Sequence, residues 1–113
     1  MITIDAQDKT LGRVASMAAH ALIGKHKTNF VKHMVMGEEV TIKNASKIKL
    51  SGTKERTKEY VRYSGYPGGQ KIETYAQLTA RRGQKEAIRR AVYRMLPKNT
   101  LQTKRIKLLT IEN

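Results

Sequence analysis

The chain has no cysteine, no tryptophan, two prolines, one phenylalanine and nine acidic residues among its 113. Without cysteine there is neither a disulfide framework nor a thiolate metal site, which fits a reducing compartment. No stretch approaches the roughly 18 consecutive apolar residues of a membrane span. The opening Met1-Ile2-Thr3-Ile4-Asp5 lacks the basic-then-apolar order of a secretion signal. The expectation is a soluble intracellular protein with no membrane-spanning segment. Five Tyr and one Phe are few for a protein that stacks base after base on aromatic rings.

The shortage of carboxylates also argues against enzymology. Glu38-Glu39 is the only adjacent acidic pair, and neighbours on a strand point to opposite faces, away from shared acid–base work. No nucleophile-elbow pattern occurs. His20, His26 and His33 have no acidic or cysteine partner at ligand spacing, and the last two stand among lysines that repel a cation. No catalytic residue, metal, cofactor or small-molecule substrate is therefore expected.

Positive charge is what the chain has in excess. There are 23 Lys plus Arg, for a net charge of +14. Self-repulsion on this scale opposes a compact state unless a polyanion cancels it. Nucleic acid is the first candidate and an anionic membrane surface the second. Residues 1–50 hold 8 basic and 4 acidic side chains, whereas residues 51–113 hold 15 and 5. The second half should therefore carry more of the electrostatic footprint.

Periodicity gives an α/β reading. Residues 2–5 alternate as a strand does. From Leu11 to Ile23 the spacing turns helical, with Leu11, Val14, Ala15, Ala18 and Leu22 on one stripe. Asp8 or Thr10 is placed to cap its start, and Gly24 to end it in a left-handed conformation. Val40 and Ile42 alternate with Thr41 and Lys43 as a second strand, and Ile48 to Leu50 is a short apolar run. Lys54 to Tyr63 reads as a strand or an ordered arm, and Ser64-Gly65-Tyr66-Pro67-Gly68-Gly69 as a loop. A helix is expected from about Thr74 to Arg82 and, after Gly83, another from Gln84 to Leu96. The apolar face of the second would be Ala87, Ile88, Ala91, Val92, Met95 and Leu96, with Pro97 as its stop. Lys98 to Arg105 is a connector or helical turn, and Ile106, Leu108, Leu109 and Ile111 suggest a last buried strand.

Four segments could meet an anion, each with a plainer alternative. Gly24-Lys25-His26-Lys27 allows close backbone approach beside cations, or is a solvated helix end. Ser64 to Gly69 can turn backbone N–H groups outward, or is an ordinary turn; it lacks the Gly-Lys-Ser/Thr ending of a nucleotide-binding loop. Arg81, Arg82, Lys85, Arg89, Arg90 and Arg94 are a cationic face suited to phosphate oxygens, or a solvated one. Met95-Leu96-Pro97-Lys98-Asn99 sets cations beyond a fixed helix stop, or is a helix stop alone.

Taken in order, these segments resemble a known family. Thr10-Leu11-Gly12-Arg13-Val14-Ala15, Gly24-Lys25-His26-Lys27, Asn44-Ala45-Ser46-Lys47-Ile48, Gly52-Thr53-Lys54, Tyr63 to Gly69, Ala91-Val92 and Met95 to Asn99 are similar to the motifs of the bacterial-type ribosomal protein L-thirteen family. The resemblance covers nearly the whole chain. It implies a three-layer α/β/α single domain over residues 1–113, with a mainly parallel central sheet of about four strands. It implies a structural constituent of the large ribosomal subunit that binds its ribosomal RNA, touches neighbouring ribosomal proteins and supports early subunit assembly. Departures are Gly83 where proline is common, Leu101-Gln102-Thr103 in place of Leu-Gly-Arg, and short termini.

The RNA-contact residues expected on this reading are Arg13, Lys25, His26, Lys27, Lys32, His33, Lys54, Tyr63, Ser64, Gly65, Tyr66, Gly68, Gly69, Arg89, Arg90, Arg94, Lys98, Asn99, Lys104 and Arg105. Contacts would go mostly to phosphates and sugars, with shape giving the specificity. The rivals are a free-standing binder of messenger RNA and a small nucleotide-processing enzyme.

Overall fold

The computed structural model of the protein describes residues 2–29, 31, 33–35, 37–50 and 54–112. In chain order the elements are β1 (Ile2–Asp5), α1 (Leu11–Ile23), β2 (Val40–Lys43), a 3-10 turn (Ala45–Lys47), α2 (Lys54–Thr57), β3 (Glu59–Tyr63), β4 (Gln70–Thr74), α3 (Tyr75–Arg82), α4 (Gln84–Met95), α5 (Gln102–Ile106) and β5 (Leu109–Ile111). β1, β2 and β5 form a parallel sheet with β2 in the middle, and β3 and β4 form a separate antiparallel pair.

The parallel sheet is one-sided, for a reason written in its register. Ile2 pairs with Val40 and Ile4 with Ile42, while Val40 and Ile42 in turn face Leu109 and Ile111. Side chains alternate with a period of two, so all six apolar residues share one face. Ile4, Val40 and Ile42 are buried there with Val14, Ala18 and Leu22 of α1. On the opposite face Thr3, Asp5, Lys43 and Thr110 are exposed and Thr41 is half-buried. The expected α/β architecture with a mainly parallel sheet holds, with fewer strands in that sheet than the four or so expected. The sheet has three strands, and its polar face is open among the described residues. The Ile48 to Leu50 run contributes a single parallel bridge, Lys49 to Thr10, rather than a strand.

Helix α1 begins and ends where its apolar spacing does. Gly24 closes it at φ 86°, donating its N–H to the His20 carbonyl at 3.2 Å. Thr10 is its N-cap, but without a side-chain capping bond. Alanines 15, 18, 19 and 21 are buried along it, and α1 packs against α4. Ala87, Ile88 and Val92 supply the buried face of α4, whereas Met95 is 44% exposed. Fully burying side chains such as Leu22, Ile88 and Val92 contributes about 1.5–3 kcal/mol each. Leu96 leaves the helix at φ −74° and ψ 147°, the extended conformation that a following proline demands.

Gly83 separates α3 from α4 at φ 79° and ψ 173°. Proline is held near φ −65°, so the proline common at this position in the resembling family could not adopt this turn. Thr74 starts α3 with a reciprocal capping box. The Gln77 N–H donates to Thr74 Oγ1 at 3.3 Å, and the Thr74 N–H to Gln77 Oε1 at 3.1 Å. The segment after Pro97 is tied back by Gln102, whose Nε2 donates to the Tyr93 carbonyl at 2.7 Å.

Candidate nucleic-acid interface

The antiparallel pair β3–β4 fixes the first wall of the site. Tyr60 pairs with Glu73 and Val61 with Ile72, so these two pairs lie on opposite faces of the hairpin. The Tyr60 face turns inward, and its ring is 3% exposed. The other face is largely uncovered, with Val61 51%, Ile72 55% and Tyr63 67% exposed. The loop joining the strands holds its shape through its glycines. Gly65 and Gly68 sit at φ 90° and 72°, and a side chain on Gly69 would strike the Ser64 hydroxyl. Two backbone bonds close it, Ser64 N–H to the Gly69 carbonyl at 3.2 Å and Gly69 N–H to the Tyr66 carbonyl at 2.9 Å.

Between the hairpin, the outer side of α4 and the α5 segment lies a groove of about 770 Å³. Arg62 comes from β3, Arg89, Arg90 and Arg94 from α4, Lys98 from the exit beyond Pro97, and Lys107 from the end of α5. Among the described residues Glu86 is the one carboxylate on its walls, and it is taken by Arg90, whose Nε bonds it at 3.1 Å. Strand β3 and the continuous stretch from α4 to the end of α5 thus bring six cations round one concavity. The helical spacing of Arg90 and Arg94, one turn apart, sets both guanidinium groups over the Tyr60 ring at 5.2 and 5.5 Å from its centre, and Lys58 lies at 5.7 Å. Burial pushes the Tyr60 phenol up, against the opposing pull of Arg94 and Arg90.

The other expected contact residues fall elsewhere. Arg13, Lys25, His26 and His33 are exposed and Lys27 half-buried. His26 Nε2 stands 3.6 Å from Glu38 Oε1. In the Gly24 to Lys27 turn the Lys27 N–H donates to the Gly24 carbonyl at 3.1 Å, so this segment is an ordered turn on the end of α1. Tyr63, Ser64, Gly65, Tyr66 and Gly68 are exposed in the hairpin tip, with Gly69 half-buried, and Asn99 and Lys104 are exposed next in sequence to the groove residues Lys98 and Thr103. Lys32 and the side chain of Lys54 lie outside what the structure describes.

Arg105 is a correction. It is 2% exposed and belongs to the interior, with Nη2 at 3.5 Å from the Met34 carbonyl. Its side chain is packed in the interior and is not part of the exposed cationic surface. It shares the inner side of α5 with Gln102 and Ile106. Arg81 is likewise occupied, gripping Glu73 with both forks at 2.9 and 2.8 Å. That bond holds the Glu73 carboxyl below the usual range and raises the Arg81 guanidinium.

Tyr60, Arg62 and Lys107 were missed by sequence reasoning. Alternation of Tyr60 with Val61 and Arg62 could have signalled an inward tyrosine, but nothing local says that β3 lies beside α4. Among the described residues no group of three or more His, Cys, Asp or Glu stands together as a metal site. No helix is long and apolar enough to cross a membrane. The chemistry available is cationic: guanidinium forks and ammonium groups round a concave floor, suited to phosphate oxygens.

Comparison with known proteins agrees with this chemistry. A family model described as Ribosomal protein L13 matches residues 1–111. Among similar proteins are the Large ribosomal subunit protein uL13 of Moorella thermoacetica, 46% identical over 108 residues covering 96% of this chain and 74% of that one. The protein of the same name from Pelotomaculum thermopropionicum is 44% identical with the same coverage. That of Symbiobacterium thermophilum is 49% identical over 98 residues, covering 87% of this chain and 68% of its own.

Proposed function

From the premise that this chain belongs to the ribosomal protein L13 family, we propose that it is a structural constituent of the large ribosomal subunit that binds the subunit's RNA and is not an enzyme. The observation that carries this reading is the groove, where Arg62, Arg89, Arg94, Lys98 and Lys107 converge without a free carboxylate to answer them among the described residues. Folding RNA brings phosphates together against their mutual repulsion, and a rigid cationic surface lowers that cost. The protein's part is neutralisation and positioning, most needed early in assembly when RNA segments are first brought together.

The contact set is the groove, then Arg13 and the Lys25, His26 and Lys27 turn, then Tyr63 to Gly69 at the hairpin tip, with Asn99 and Lys104 beside them. Lys32, His33 and Lys54 complete it. Arg105 is not part of it. Contacts to backbone phosphates and 2′-hydroxyls would position the protein by RNA shape. Neighbouring ribosomal proteins are the second class of partner, and the uncovered Val61, Ile72 and Tyr63 face of the hairpin is available to them. The location that follows is the cytoplasm, within large subunits.

Sedimentation of cell extract tests this. The protein should travel with large subunits after a high-salt wash. Recovery as free protein, or with messenger RNA alone, would replace the ribosomal reading by a regulatory one.

A further inference from the structure

The floor of the groove carries a feature that general cationic binding does not require. The Tyr60 hydroxyl is buried and has no hydrogen-bond partner. A buried donor left unpaired destabilises the fold, and phenylalanine would fill the same volume without that loss. The ring is not available for base stacking either, since it is 3% exposed with three cations over it. What remains is the hydroxyl of a residue that lines the groove, with Arg90 and Arg94 over its ring.

The two arginines beside it differ in how they are compensated. Elsewhere in the molecule an arginine near a carboxylate closes on it, as Arg81 does on Glu73 at 2.8 Å. In the groove Glu86 is bonded by Arg90, and Arg94 has no carboxylate partner among the described residues. Arg90 and Arg94 over one ring repel one another, and an anion placed between them removes that repulsion. A phosphodiester offers tetrahedral oxygens that guanidinium forks bind in pairs, and a further oxygen that a neutral hydroxyl can donate to.

We propose that the groove is a phosphate seat in which Arg90 and Arg94 hold a backbone phosphate of folded RNA and the Tyr60 hydroxyl donates to one of its oxygens. Arg94 is exposed and moves with the incoming phosphate, opening the hydroxyl beneath it. The seat reads backbone position, not base identity. This rests on the RNA-binding reading above and adds to it one neutral donor that fixes where the phosphate sits.

The test uses the full chain and protein-free large-subunit ribosomal RNA in a filter-binding titration across salt concentrations. Tyr60→Phe should weaken binding about tenfold with an unchanged salt slope, because the lost group carries no charge. Its melting temperature should be equal or higher, since an unpaired buried hydroxyl has been removed. Arg94→Gln should weaken binding and reduce the salt slope by about one. Tyr60→Phe binding within about twofold of the wild type, while the wild type itself binds, overturns the seat and leaves the RNA reading standing. A folded wild-type chain that does not bind this RNA overturns both.

Discussion

Arg105→Ala should destabilise the fold by about 2–3 kcal/mol, while its neighbour change Lys104→Ala should cost within about 0.5 kcal/mol. Arg105 is 2% exposed and Lys104 is exposed. Truncation at Cβ removes two buried methylenes, each worth about 0.8 kcal/mol, and leaves the space of a guanidinium empty. It also removes the contact to the Met34 carbonyl at 3.5 Å, which links α5 to the loop before β2. Release of a buried charge from its desolvation offsets part of this. For a chain of this size the net loss lowers the melting temperature by about 10–20 °C. Urea unfolding followed by far-ultraviolet circular dichroism measures it, with RNA binding measured in parallel on the folded variants. Arg105→Met, which keeps the volume, should lose less than about 1.5 kcal/mol. Lys104→Ala should weaken RNA binding at nearly unchanged stability. An Arg105→Ala protein as stable as the wild type but defective in binding would refute the burial argument and return Arg105 to the interface.

Three further outcomes follow from the same geometry. Gly24→Ala places a Cβ at φ 86° and should cost about 1 kcal/mol, read as a shift of the denaturation midpoint; no shift would mean that the α1 end is not held there. Arg81 keeps the Glu73 carboxyl ionised below its usual range, so the stability it lends is full above the unfolded-state value and is lost as pH falls through the folded-state one. Glu73→Gln should therefore flatten the acid limb of stability against pH, and an unaltered limb would count against the pair. If 6–10 phosphates are engaged, affinity for large-subunit RNA should drop by roughly 10³–10⁵ between 50 and 200 mM salt; a flat titration contradicts an electrostatic mode.

Helices α1, α3 and α4 were legible because their signals are local, whereas α2 at Lys54–Thr57 was read as strand or ordered arm and Ile106, read into the last strand, ends α5. Leu11, Val14, Ala18 and Leu22 repeat at helical spacing, and Gly24, Gly83 and Pro97 stand where α1, α3 and α4 end. The one-sidedness of the parallel sheet was legible too. Ile-Thr-Ile-Asp and Val-Thr-Ile-Lys alternate strictly, whereas strands covered on both faces read as continuous apolar runs. Strand β4 was not foreseen, because Gln70-Lys71-Ile72-Glu73-Thr74 buries little and exists through backbone pairing with β3. In the site, the α4 arginines were readable as a charged face. Tyr60, Arg62 and Lys107 were not, since tertiary packing alone brings β3 and α5 beside α4. Arg105 looked like one more cation in a basic run. Its company with Gln102 and Ile106 on one side of a short helix was the overlooked sign that it turns inward.

The central claim is that the groove and its flanking cations face ribosomal RNA, and crosslinking in intact cells tests it most directly. Protein–RNA crosslinks mapped by mass spectrometry should join large-subunit ribosomal RNA to peptides containing Arg62, Arg94, Lys98 and Lys107, and to the Lys25 to Lys27 turn. Crosslinks confined to the open sheet face around Thr3, Lys43 and Thr110, or made to other RNAs alone, would contradict it.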